Sequence, residues 1–156
     1  MSITSSKKHS VPALDIKDVD YTFDAGENAK QVLFKNTLEI QPGEIVIMTG
    51  PSGSGKTTLL TLIGTLRSIQ TGSIKFLGQE LAGLSKTETN NIRGDIGFIF
   101  QHHNLFESLS ALDTMRVTMQ LKSKNISKED VLRDATQLLD RLGLGERVNY
   151  KPSRLS

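Results

Sequence analysis

The stretch Gly50-Pro51-Ser52-Gly53-Ser54-Gly55-Lys56-Thr57 decides the fold, because it satisfies the spacing GxxxxGK(S/T) in full. That spacing answers a physical need: a backbone that wraps around phosphate oxygens. Gly53 and Gly55 permit dihedral angles closed to other residues and let the chain approach an anion closely. Successive amide N–H groups can then point inward as a nest, helped by the N-terminus of the following helix. Lys56 can reach the β- and γ-phosphates of a nucleotide, and the Thr57 hydroxyl can ligate Mg²⁺. The bland alternative is a chance glycine-rich turn before an ordinary helix. It does not account for the flanks.

On the N-terminal side, Glu44–Thr49 carries Ile45, Val46, Ile47 and Met48 without a break, which predicts a strand buried on both faces, as in a parallel sheet. On the other side, Lys56–Arg67 places Leu59, Leu60, Leu62, Ile63 and Leu66 at helical spacing. A strand, a glycine loop and an amphipathic helix are the context this motif requires. Further out, Leu14–Phe23 and Val32–Ile40 alternate as strands, Gly72–Leu77 reads as a short strand, and Ile96–Phe100 as another buried one. Ser85–Arg93, Ser110–Lys122 and Ser127–Leu142 read as helices. The last opens on the capping pair Ser127 and Asp130 and closes at Gly143. The sum is an α/β fold with a helical portion after it.

Bulk properties narrow the function. Lys plus Arg number 19 and Asp plus Glu 17, a formal net charge of +2, which argues against a dedicated nucleic-acid binder. With no cysteine there are no disulfides, thiolate metal sites or cysteine nucleophiles. The polar start MSITSSKKHSVP lacks the apolar core of a secretory signal, and no apolar run approaches the length of a bilayer span. The chain is expected to be soluble, with any membrane role coming through a partner. The glycine loop alone does not separate a transporter ATPase from a nucleotide kinase or a GTPase.

Other segments make that distinction. QVLFKNTLEIQPGEIVIMTGPSGSGKTTLLTLIG, TGSIKFLGQEL, IRGDIGFIFQHHNLF and YKPSRLS follow one another in this order. Together they resemble the ATP-binding subunits of ABC transporters over residues 14 to 156, within the group of MacB- and LolD-like exporters. GEIVIMTGPSGSGKTTLLTLIG and KFLGQEL are especially similar to the DevA-type subunit of a cyanobacterial glycolipid exporter.

The resemblance implies a P-loop NTPase core, with an antiparallel β subdomain and a parallel sheet bearing the Walker A loop, followed by a helical subdomain. Residues 1–12, dense in Ser and Lys and closed by Pro12, read as a flexible leader; the resemblance makes 13–100 the β subdomain and P-loop core, and 101–156 the Q-loop and helical subdomain. Gly50, Pro51, Ser52, Gly53, Ser54, Gly55, Lys56, Thr57 and Thr58 would bind ATP. Gln101, at the end of a strand, would sense the γ-phosphate and join Thr57 on Mg²⁺. An aromatic ring near the end of the first strand would stack on adenine: Phe23 fits the alignment better and Tyr21 is the fallback, while either ring could equally be core.

The implied partners are a transmembrane permease, a membrane-fusion protein and a second ATPase subunit, at the inner face of the plasma membrane. Leu105, Phe106, Leu109 and Met115 would lie beside the permease's coupling helix, or simply pack within the helical subdomain. His102 and His103 do not match the family's switch histidine and read as solvated loop residues. Thr65 stands where relatives often have glycine, and Gly94 where they often have a basic residue. Only Leu155 and Ser156 of the LSGGQ signature occur, and no Walker B strand follows. The chain is therefore expected to be truncated, with an apolar edge left at Ile45–Met48. The competing functional reading is a catalytically inactive nucleotide-binding remnant. A P-loop kinase is disfavoured by the Q-loop match.

Overall fold

A computed structural model describes residues 11–24, 26–100, 105–122 and 126–155. The chain divides into two compact units, one reaching to Gly97 and one starting at Phe98.

In the first unit, β1 (Leu14–Phe23) lies at the centre of a four-stranded antiparallel sheet. Its neighbours are β2 (Lys30–Ile40) and β3 (Thr71–Phe76), and β3 pairs in turn with the short β4 (Gln79–Glu80). Alternation in β1 explains the packing. Leu14, Ile16, Val19 and Tyr21 are buried and face Leu33 of β2, Ile74 of β3 and the inner side of α1 (Lys56–Ile63). Leu59 and Leu62 supply that helix's contribution, and Ile92 supplies that of α2 (Lys86–Arg93). The β3–β4 turn is fixed by Glu80, whose carboxylate accepts hydrogen bonds from the Ser73 hydroxyl and from the amides of Ile74 and Ala82. Burial pushes that carboxyl up, but these bonds outweigh it and hold the group below its ordinary value.

Helix α2 starts as its sequence implies. Ser85 accepts from the Glu88 amide and Glu88 reaches back to the Ser85 amide, a complete capping box. Helix α1 departs from expectation: it ends at Ile63 rather than Arg67. The amide of Leu66 returns to the Thr61 carbonyl at 2.8 Å and that of Thr65 to Leu62 at 3.0 Å, a Schellman-type termination. Its left-handed residue is Thr65, at φ +55°. Glycine is the usual occupant of such a position, which accounts for the glycine that the resemblance implies there. Arg93 holds the turn, donating to the Thr65 carbonyl at 2.6 Å and to its hydroxyl at 3.1 Å.

The two buried strands expected at Glu44–Thr49 and Ile96–Phe100 are not formed, and no parallel ladder is present among the described residues. Ile45 is 94% exposed and Ile99 97%. A strand is a property of a pair, and neither segment has a hydrogen-bonded neighbour here. Met48 and Ile96 still pack against the core.

The second unit contains α3 (Ala111–Lys122) and α4 (Lys128–Arg141), followed by short 3₁₀ turns at Gly145–Arg147 and Pro152–Arg154. Ser127 caps α4 by accepting from the Asp130 amide at 3.0 Å, and Val131, Ala135 and Leu139 form its buried face. Leu138 and Leu142 are exposed. Lys128, Glu129 and Arg133 lie at the surface, where Arg133 pairs with Asp130 and Asp134. The amides of Ala111 and Leu112 donate to the carbonyls of Tyr150 and Val148, tying the start of α3 to the C-terminal turns. Among the described residues no helix is long and apolar enough to cross a membrane.

These burials set an expected contrast for the chain in a urea titration. Leu62→Ala lowers its stability by about 2–5 kcal/mol, whereas Ile45→Ala changes it by no more than about 0.5 kcal/mol.

Candidate nucleotide-binding site

The loop between β2 and α1 is shaped by its glycines. Gly55 sits at φ +87° immediately before α1, and a Cβ there would lie 2.7 Å from both the Val32 carbonyl oxygen and Leu33 Cδ2. The loop therefore rests directly on the backbone of β2, and only glycine permits that approach. Gly53, at φ +81°, requires the left-handed conformation but faces open space.

This path leaves donors without acceptors. Among the described residues, nothing accepts a hydrogen bond from the amides of Gly53, Gly55, Lys56 or Thr57. The last two belong to the first turn of α1, where no intrahelical partner exists. Such donors, at the positive end of a helix, form a receptor for an anion. Lys56 sits among them. Its ammonium donates to the carbonyls of Gly50 and Pro51 at 2.8 Å each and to Ser54 Oγ at 3.3 Å. A cation gathered by neutral acceptors alone is positioned to exchange them for phosphate oxygens, which form stronger charge-assisted bonds.

A cleft of about 670 Å³ opens over this loop. Ser52, Gly53, Ser54, Gly55, Lys56, Thr57 and Thr58 form one part of its wall, and Phe23, Asp24, Asn28, Lys30 and Val32 the other. Phe23 is half-buried and lines the cleft; Tyr21 is buried in the core. Gly50 and Pro51 do not line it; they contribute the carbonyls that hold Lys56. Thr58 lines the cleft although it is largely buried. Gln101, His102, His103 and Ser156 lie outside the described residues, as do residues 1–10 of the expected leader. Among the described residues no group of three or more His, Asp or Glu could hold a metal. Asp24, Asn28 and Lys30 were not expected here. Only their position beside the end of β1 marks them, and that is a tertiary fact.

The end of β1 is itself held in place. The pairing of β1 with β3 stops at Asp20 opposite Thr71. Beyond it, the Gln70 side chain takes over, accepting from the Thr22 amide at 2.8 Å and donating to the Thr22 carbonyl at 3.0 Å.

The family described as ABC transporter matches residues 33–156. The chain is 39% identical over 151 residues to a lipoprotein-releasing system ATP-binding protein LolD from Shewanella denitrificans, covering 96% of this chain and 64% of that protein. It is 35% identical over 146 residues to a macrolide export ATP-binding/permease protein MacB from Marinobacter nauticus, covering 93% of this chain and 22% of that protein. Among solved structures it is similar to the dimeric post-hydrolysis state of the ATP-binding cassette MJ0796 bound to ADP and Pi. There the TM-score is 0.83 and the identity 34%, over 92% of this chain and 63% of that one. The chain thus spans less than two thirds of the length of these relatives.

The loop's dependence on β2 gives a measurable contrast. Gly53→Ala is expected to cost about 1–2 kcal/mol for its left-handed backbone alone. Gly55→Ala adds a collision with the Val32 carbonyl and is expected to cost about 3 kcal/mol or more. Equal losses in denaturant titrations would contradict the described support.

Proposed function

This chain belongs to the ABC transporter family of ATP-binding subunits, and from that premise we propose that it binds Mg-ATP in the cleft over Gly53–Thr57. The observation that carries the proposal is the set of four amides without acceptors, gathered around Lys56. The nucleotide's polyphosphate would lie against those amides. Lys56 would leave the Gly50 and Pro51 carbonyls for the β- and γ-phosphates, and the base would stack on Phe23. Base stacking on an aromatic ring contributes on the order of 1–3 kcal/mol. Phe23 and Lys56 line the same cleft, so one ligand could meet both.

Thr57 lines the cleft beside Lys56, where its hydroxyl would take one position on Mg²⁺. Gln101 is proposed for a second. A magnesium ion keeps several waters and needs only one or two protein ligands beside substrate phosphates, so this sparse set fits it. When bound, the ion neutralises charge developing on the transferred phosphoryl group.

At the level of the whole protein, we propose an energising subunit that couples ATP hydrolysis to export of a lipid or hydrophobic compound through a permease. A second ATPase copy and a membrane-fusion protein would complete the assembly at the inner face of the plasma membrane. The similarity to LolD and MacB proteins supports an exporter, and the dimeric MJ0796 structure supports paired ATPases. KFLGQEL and GEIVIMTGPSGSGKTTLLTLIG favour a glycolipid exporter of the DevA type. In the second unit, Leu105 and Phe106 are exposed, as a permease contact would require. The two-part organisation, 13–100 and 101–156, is proposed on the same resemblance.

Titration with a fluorescent ATP analogue tests the binding assignment. Lys56→Ala is expected to weaken binding by about ten- to a hundred-fold, the scale of a lost hydrogen-bonded charge. Unchanged affinity in that variant would overturn it.

A further inference from the structure

Arg67 follows the turn that ends α1 and is drawn under the end of β1. Its guanidinium lies 4.9 Å from the centre of the Phe23 ring and 6.0 Å from that of Tyr21. Nη1 also donates to the Tyr21 hydroxyl at 3.4 Å. The Tyr21 and Phe23 rings meet edge to face, 5.1 Å apart at 73°. Phe23 lines the nucleotide cleft; Arg67 does not, and lines a separate cavity of about 570 Å³ with Leu62, Ile69 and Leu81. The guanidinium thus meets the aromatic pair from a place outside the cleft.

We propose that Arg67 is a positioning residue for base recognition, backing Phe23 so that the ring presents a fixed face to the nucleobase. This rests on the assignment of Phe23 as the base platform. A planar guanidinium stacks on an aromatic ring and at the same time attracts its π-electrons. A ring with a cation on one face has less negative charge to repel the π-cloud of a purine on the other. Tyr21 is anchored in the core, so its hydroxyl and ring edge fix Arg67 and Phe23 to the sheet. Gln70 removes the remaining freedom by pinning the backbone of Thr22. Without Arg67 the ring could rotate about its side-chain bonds, and the base would have to order it on binding.

Three sites are coupled by this arrangement. The Schellman turn at Thr65 delivers Arg67, Arg93 holds that turn, and Arg67 holds Phe23. The ring at the base end of the cleft is thus backed by a residue that follows the C-terminal end of α1, while the phosphate end is lined by residues at its N-terminal end.

Calorimetric titrations of the chain with ATP and with inorganic tripolyphosphate, which lacks base and sugar, test the proposal. Phe23→Ala is expected to weaken ATP by about five- to a hundred-fold and leave tripolyphosphate unchanged. Arg67→Ala is expected to weaken ATP by about two- to five-fold, again with tripolyphosphate unchanged. Adding Arg67→Ala to Phe23→Ala is expected to cause no further loss. If Arg67→Ala unfolds the chain in a thermal melt, Arg67→Gln, which keeps the stem and a polar tip without the charge, carries the same comparison. Equal loss of both ligands in the Arg67 variants, or no loss of either, overturns the proposal while Phe23 stands. Unchanged ATP affinity in Phe23→Ala overturns the base platform itself. Absence of ATP binding in the unsubstituted chain overturns both.

Discussion

The contact between Gly55 and the backbone of β2 governs the site. Because any side chain at Gly55 would collide with the Val32 carbonyl, only glycine lets α1 begin against the first residues of β2. Among the described residues, the amides of Gly53, Gly55, Lys56 and Thr57 have no acceptor. Gly55 and Lys56 are half-buried, where backbone donors normally find partners. On the proposed reading an anion would supply them, and Lys56, held by its own loop's carbonyls, would turn to it.

The core transmits that constraint to both ends of the cleft. Leu59 and Leu62 press α1 onto the sheet formed by β1, β2 and β3, so the helix cannot shift without opening the cluster around Ile16, Val19 and Ile74. Its N-terminus is held against β2 and its C-terminal turn against α2 through Arg93 and Thr65. On the proposed reading, phosphate and base recognition would both depend on this helix, and phosphoryl transfer depends mainly on such placement and on charge.

Much of this was legible in the sequence. Alternation gave β1 its limits at Leu14 and Phe23, and Ser85, Ser110 and Ser127 marked the starts of α2, α3 and α4. The need for glycine at 53 and 55 followed from spacing, since both adopt positive φ; the close approach of Gly55 to Val32 did not. The choice of Phe23 over Tyr21 as the base platform remains the proposal that the resemblance made; in the structure Phe23 lines the cleft and Tyr21 is buried. Other features were not readable. Continuous apolar runs at Ile45–Met48 and Ile96–Phe100 describe a willingness to be buried in a sheet, but a strand also needs a paired neighbour, and neither run has one among the described residues. The end of α1 was misjudged because Leu66 continues the helical stripe while a threonine takes the left-handed turn. Arg67 and Gln70 carried no signal at all, since their contacts arise only when the chain after α1 meets the end of β1.

The most direct measurement is an amide-proton NMR titration of the chain with inorganic tripolyphosphate, which isolates the cradle from base and sugar. The amides of Gly53, Gly55, Lys56 and Thr57 are expected to move downfield together and saturate at one ligand per chain. Strong hydrogen bonds to an anionic oxygen deshield the donor proton, so the direction is diagnostic. If these four signals stay in place while amides elsewhere respond, the loop is not an anion receptor and the description of the site is wrong.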